Sequence, residues 1–122
     1  MVSNKRDAAS LWDMVQAIRD LQAFTAGLSY ENYISNLMVQ RAVERQLEIL
    51  GEAARRVSQD FCQSHPEIDW TGIIGLRNVL AHRYDQIRCD RIWAILDEEL
   101  PLLLTRLEQL LPPLPDNSSF EE

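Results

Sequence analysis

Val39, Val43, Leu47, Leu50, Ala54, Val57 and Phe61 recur at intervals of three and four residues, so one stripe of a helix carries them all. A seam of that length must be covered by other helices, because nowhere does the chain show the two-residue alternation of a half-buried strand. A second seam runs from Ala8 to Ala26 through Leu11, Val15, Ile18 and Phe24, with Trp12, Met14 and Leu21 beside it. The spacing therefore predicts a helix over 8–26 and a long one from Tyr30 to about Cys62. A short helix from near Trp70 follows, then one over LRNVLAHRY ending near Tyr84, and one over 89–111. Gly27 stops the first helix and Ser29 caps the second. Pro66 biases His65 away from helical angles, Asp69 caps the helix at Trp70, and Gly72 and Gly75 allow irregular backbone before Leu76. Pro101 marks a kink or the first turn of a separate last helix. Gly51, inside a helix, costs roughly 1 kcal/mol against alanine, which points to a neighbour packed closely over it. The expected fold is all-α, a bundle of four to five helices.

At 122 residues the chain is one domain, large enough for a core without metal or disulfide staples. The helical domain is expected over 1–111, with a flexible acidic tail over 112–122, PPLPDNSSFEE. Cys62 and Cys89 lack the paired spacing of a zinc or redox site and read as packed or half-exposed thiols in a reducing cytosol. The most apolar stretch, LPLLLTRLEQLL, is too short for a bilayer and carries Arg106 and Glu108, and the amino terminus shows no signal sequence. A cytoplasmic protein without membrane contact is expected.

The formal charge of −7 argues against a polyanionic partner until its placement is considered. Residues 97–122 hold seven acids and one base, whereas residues 1–96 hold twelve acids and eleven bases, so the body is nearly neutral. Eleven of the twelve basic residues are arginine, whose planar fork suits phosphates and carboxylates better than a lysine point charge.

The segment 76–86, LRNVLAHRYDQ, gathers arginine, asparagine, histidine and tyrosine beside an apolar stripe of Leu76, Val79 and Leu80. On an ideal helix Asn78 and His82 share one face, and Arg77 and Tyr84 another. Arg77 and His82, five positions apart, diverge by about 140°. For both to meet one substrate, the helix must end or bend near His82, or a second subunit must complete the site. A histidine here can cap a helix end. With an arginine and no acidic metal ligands it can also act on a phosphodiester. The imidazole, with an unperturbed pKa near 6.5, moves a proton at a ribose 2′-OH or a leaving oxygen. The guanidinium clamps the phosphate, and Asn78 orients either. RNA is then the substrate, because only RNA carries the internal 2′ nucleophile. Spacing alone leaves both readings open.

RNVLAHRY resembles the Arg-X4-His-X-Tyr signature of the HepT toxins in the HEPN superfamily, whose pattern includes the polar residue at Asn78 and leaves the position of Arg83 open. GLSYENYISN, AVERQLEILGEAARRVS, HPEIDWTGIIGLRN and RIWAILDEELPLLLTRLEQLL are similar to that family as well, so the resemblance spans roughly residues 7 to 111. It implies a HEPN-type helical bundle that pairs as a homodimer, with two signature segments lining one cleft. It also implies a toxin with metal-independent endoribonuclease activity, in which Arg77, Asn78 and His82 are catalytic and no cofactor is needed. The implied partner is an MntA-like nucleotidyltransferase antitoxin that uses ATP to attach AMP to Tyr84 and so silences the toxin. The alternative is a catalytically silent module that holds such a partner.

Arg41, Glu44, Arg45 and Glu48 read as a solvated charge ladder rather than a set facing the cleft. His65 reads as exposed, and Trp12, Trp70 and Trp93 as core or interface anchors rather than platforms for bases.

Overall fold

A computed structural model of the chain describes residues 4–81 and 85–112. Among the described residues the structure is helical throughout: α1 (Lys5–Thr25), α2 (Tyr30–Ile34), α3 (Leu37–Arg56), α4 (Gln59–Ser64), α5 (Trp70–Ile74), α6 (Leu76–Leu80), α7 (Asp85–Ala94) and α8 (Leu100–Leu110). A single π turn, Ile95–Glu99, joins α7 to α8. The all-α expectation holds, with finer divisions than the hydrophobic seams alone suggest.

The first helix begins where Asn4 accepts hydrogen bonds from the backbone N–H groups of Arg6 and Asp7, and the chain turns away at Gly27, which sits at φ +76°. Ser29 then forms a reciprocal capping box with Asn32. The expected long helix from Tyr30 to Cys62 is instead three helices. Asn36 caps α3 by accepting from the Val39 N–H, and the buried Gln40 donates its side-chain amide to the Tyr33 carbonyl at 2.9 Å, so the break between α2 and α3 is satisfied from within. At the other end Val57 is extended, and Ser58 caps α4 while its own N–H and hydroxyl donate to the Asp7 carboxylate at 2.8 and 2.6 Å. Asp7, at the start of α1, thus meets Ser58 two residues beyond α3, and the two helices run antiparallel. Their facing seams form the middle of the core: Leu11, Met14, Ile18 and Leu21 against Val43, Leu47, Leu50 and Ala54, all essentially without solvent contact.

The last helix closes the other side of α1. Arg19 pairs with Glu108 at 2.9 Å, and Trp12 donates its indole N–H to the Pro112 carbonyl at 3.2 Å. Of the expected tail 112–122, only Pro112 falls within the described residues, and it docks on α1; residues 113–122 lie outside them. Pro101 occupies the first turn of α8. It has no N–H for the carbonyl four residues back, and the wider π turn before it accommodates the ring.

Two single-residue expectations are corrected. Phe24 is 40% exposed, because the buried seam of α1 ends at Leu21. His65 is not exposed but half-buried: its ring stacks on Phe61 with centroids 4.4 Å apart and its Nδ1 lies 3.1 Å from a Glu67 carboxylate oxygen. Its carbonyl accepts from the Trp70 indole at 3.0 Å. All three tryptophans pack or bond within the fold as anchors, Trp93 against Tyr30 and Tyr33. Cys89 is buried and Cys62 half-buried, its thiol pushed up by burial, in keeping with packed thiols.

Candidate active site

The arginine half of the signature is set in place by a chain of local causes that begins at Gly51. An added Cβ there would lie 3.2 Å from the Ile73 carbonyl oxygen, so glycine lets the C-terminal end of α5 rest directly on α3. Asp69 caps α5 by accepting from the Gly72 N–H at 3.0 Å. Gly72 leaves room for that carboxylate, since a Cβ at position 72 would overlap it. The irregular backbone expected at Gly72 and Gly75 is absent at Gly72, which lies within α5, and present at Gly75, which at φ −77° and ψ 0° is the turn between α5 and α6.

On α6, Leu76 is buried and Val79 and Leu80 are half-buried, which leaves Arg77 and Asn78 exposed, as the apolar stripe predicts. Neither polar side chain has a hydrogen-bond or ion-pair partner among the described residues. The helix ends at Leu80, where the Ala81 N–H returns to the carbonyls of Arg77 and Val79, and helical structure resumes at Asp85. The expected end near Tyr84 is therefore too late. His82, Arg83 and Tyr84 lie outside the described residues, between these two helices.

Two clefts flank α6. One, of about 360 Å³, is lined by Arg77 and Ile74 on one wall and by Arg45, Leu47, Glu48, Gly51, Glu52 and Arg55 of α3 on the other. The second, of about 250 Å³, is largely apolar, with Leu76, Val79, Ile95, Leu100 and Leu102 among its walls.

The start of α7, the far side of the signature, is tied down from α2 and α3. Arg88 Nε lies 3.3 Å from a Glu44 carboxylate oxygen, with the two side chains only 12% and 18% exposed. Glu44 also accepts from Arg41 at 3.0 Å, so part of the expected charge ladder is an interhelical tie rather than a solvated row. Tyr30 donates its hydroxyl to Asp90, and that bond, with burial and the carboxylate charge, pushes its phenol up to about 12. Tyr33, beneath Trp93, is raised further by burial, and its hydroxyl finds no partner among the described residues.

Sequence reasoning singled out Arg77 and Asn78, but it read Arg45 and Glu48 as solvated rather than facing a cleft and missed Arg55, and all three line the cleft beside Arg77. The signal was present: Arg45, Glu48, Glu52 and Arg55 fall at i, i+3, i+7 and i+10, the stripe that flanks Gly51.

A family model described as ribonuclease HepT-like matches residues 14–110. A Methanocaldococcus jannaschii protein named "Putative RNase MJ1380" is 38% identical over 106 residues, which cover 86% of this chain and 97% of that protein. A Thermococcus cleftensis protein named "Probable ribonuclease HepT" is 34% identical over 100 residues, 82% of this chain and 91% of its own length. No solved structure gives a significant match.

Proposed function

This chain belongs to the ribonuclease HepT-like family, and on that premise we propose that it is the toxin of a toxin-antitoxin pair, a cytoplasmic endoribonuclease that needs no metal. The carrying observation is the interruption of the signature itself. Because α6 stops at Leu80, the angle of about 140° that an ideal helix would hold between Arg77 and His82 no longer applies across Ala81. The exposed guanidinium of Arg77 and amide of Asn78 have no partner among the described residues, which suits them to bind a phosphodiester.

In the proposed reaction His82 takes the proton from a ribose 2′-OH, and the freed oxygen attacks the adjacent phosphorus. The bond to the 5′ oxygen breaks, and that oxygen receives a proton from an imidazolium, which the second subunit of a homodimer supplies. Arg77 neutralises the charge that builds on the non-bridging oxygens. Tyr84 is the acceptor for AMP, transferred from ATP by an MntA-like nucleotidyltransferase. The added phosphate puts negative charge beside Arg77 and His82 and excludes the substrate phosphate.

Labelled RNA incubated with the purified protein in excess EDTA should be cut, and His82→Ala or Arg77→Ala should abolish cutting with helical content unchanged. Coexpression with the nucleotidyltransferase should add AMP mass at Tyr84 and stop the cutting, whereas Tyr84→Phe should escape both. Absence of cutting by protein whose Tyr84 is unmodified by mass would leave the silent-module alternative.

A further inference from the structure

We propose that the cleft between α3 and α6 is a binding groove for the sugar-phosphate backbone of single-stranded RNA, in which Arg45 and Arg55 hold phosphates neighbouring the one clamped by Arg77. The inference rests on the ribonuclease reading for the identity of its ligand. It concerns residues outside the signature. Arg45 and Arg55 stand ten positions apart on one stripe of α3, about 15 Å along the axis at 1.5 Å per residue. That length meets more than one phosphate of a strand. The opposite wall is Arg77, brought within reach because Gly51 lets α5, and hence the start of α6, sit directly on α3. The remaining uncharged lining, Leu47, Gly51 and Ile74, offers backbone and aliphatic surface and leaves the guanidinium groups as the cleft's N–H donors among its lining side chains.

The two acids on the same stripe do not consume those donors. Arg55 lies 3.7 Å from Glu52 and Arg45 lies 4.0 Å from Glu48, distances at which no hydrogen bond forms, and all four side chains are exposed. Surface pairs of that kind are weak and screened by salt. A phosphate, by contrast, can accept two parallel N–H bonds from one guanidinium. Three arginines against two loosely held glutamates give the groove a local positive balance on a chain of net charge −7, much of whose acidic excess lies beyond residue 96. Glu48 and Glu52 then limit the affinity without blocking the groove.

The test uses wild type, Arg45→Ala, Arg55→Ala and Glu52→Gln, each checked for helical content. Binding is read by fluorescence anisotropy with a labelled 2′-O-methyl RNA oligonucleotide, which lacks the free 2′ nucleophile and is not cut. Turnover is read with ordinary RNA. Each arginine variant should raise Kd and KM by roughly tenfold, the size of one charge-assisted contact. Each should leave kcat near wild type and reduce the slope of log K against log salt by about 0.7. Glu52→Gln should tighten binding. Unchanged Kd and salt slope in a folded Arg45→Ala, Arg55→Ala double variant overturns the groove even if wild type cuts RNA normally. Arginine-dependent binding without any cutting by wild type overturns the ribonuclease reading and leaves the groove standing. No RNA binding by wild type overturns the groove outright.

Discussion

Tyr30 reaches from α2 to give its hydroxyl hydrogen to Asp90, and the carboxylate beside it makes that proton hard to remove. An unfolded chain loses the same proton near pH 10. The folded state therefore gains from Tyr30 a stability that is fully present below about pH 10 and is lost as pH rises through about 12. Tyr30→Phe should remove this bond and with it part of the alkaline dependence. Urea midpoints measured from pH 8 to 12 should fall less steeply for the variant than for wild type, and parallel curves would show that the Tyr30–Asp90 contact does not hold in solution. Because Asp90 and Arg88 sit on the same first turns of α7, the variant also tests whether ties to α2 and α3 set the position of that helix beside the signature.

Much at the level of elements was legible in the sequence, and the failures share a cause. Some local caps and stops were readable: Ser29, Asp69 and the stop at Gly27 all follow local rules. The seam from Val39 to Phe61 was correct as a list of apolar residues, six of them buried and Val39 partly so, but wrong as one helix, because period alone does not see Asn36 and Ser58 taking over backbone donors. The Ser58 cap is further fixed by Asp7, fifty-one positions away, which no local pattern announces. Gly51 was legible as a close approach, though not what approached it. Gly51→Ala gains helix propensity worth about 1 kcal/mol, while its Cβ, 3.2 Å from the Ile73 carbonyl oxygen, makes the α5 backbone give by a few tenths of an ångström. We expect a net loss of about 1 kcal/mol in denaturant unfolding, with a larger fall in kcat/KM because the displaced backbone carries Arg77. Full activity in a folded Gly51→Ala protein would disconnect the α5 contact from the site.

For the whole molecule, the exposure of Arg77 and Asn78 was readable from the apolar stripe beside them, whereas the end of α6 at Leu80 was not, and His82 and Tyr84 lie outside the described residues. The cleft on the other side of α6 combines Leu76, Val79 and the over-half-exposed Leu102 with Arg91, Glu98, Glu99 and Arg106, and it is the surface we propose for the second copy of the homodimer. Light scattering at micromolar concentration should give a dimer mass, and Leu102→Arg should shift it toward monomer together with loss of cutting. A monomeric wild type would remove the second imidazole from the proposed reaction. The run from α7 to α8 has different tethers at its two ends, Glu44 and Tyr30 at one and the first helix at the other. Its buried face runs through Ile92, Ile95, the half-buried Leu96, Leu100 and Leu107, and the π hydrogen bonding of Ile95–Glu99 adds an odd one-residue step to an otherwise regular helix. The π turn absorbs that odd step, acting as a vernier between two gauges cut to different zero points. Loss of one residue at this turn, from π to α, is therefore expected to be tolerated better than a loss elsewhere between the signature end and the closing end.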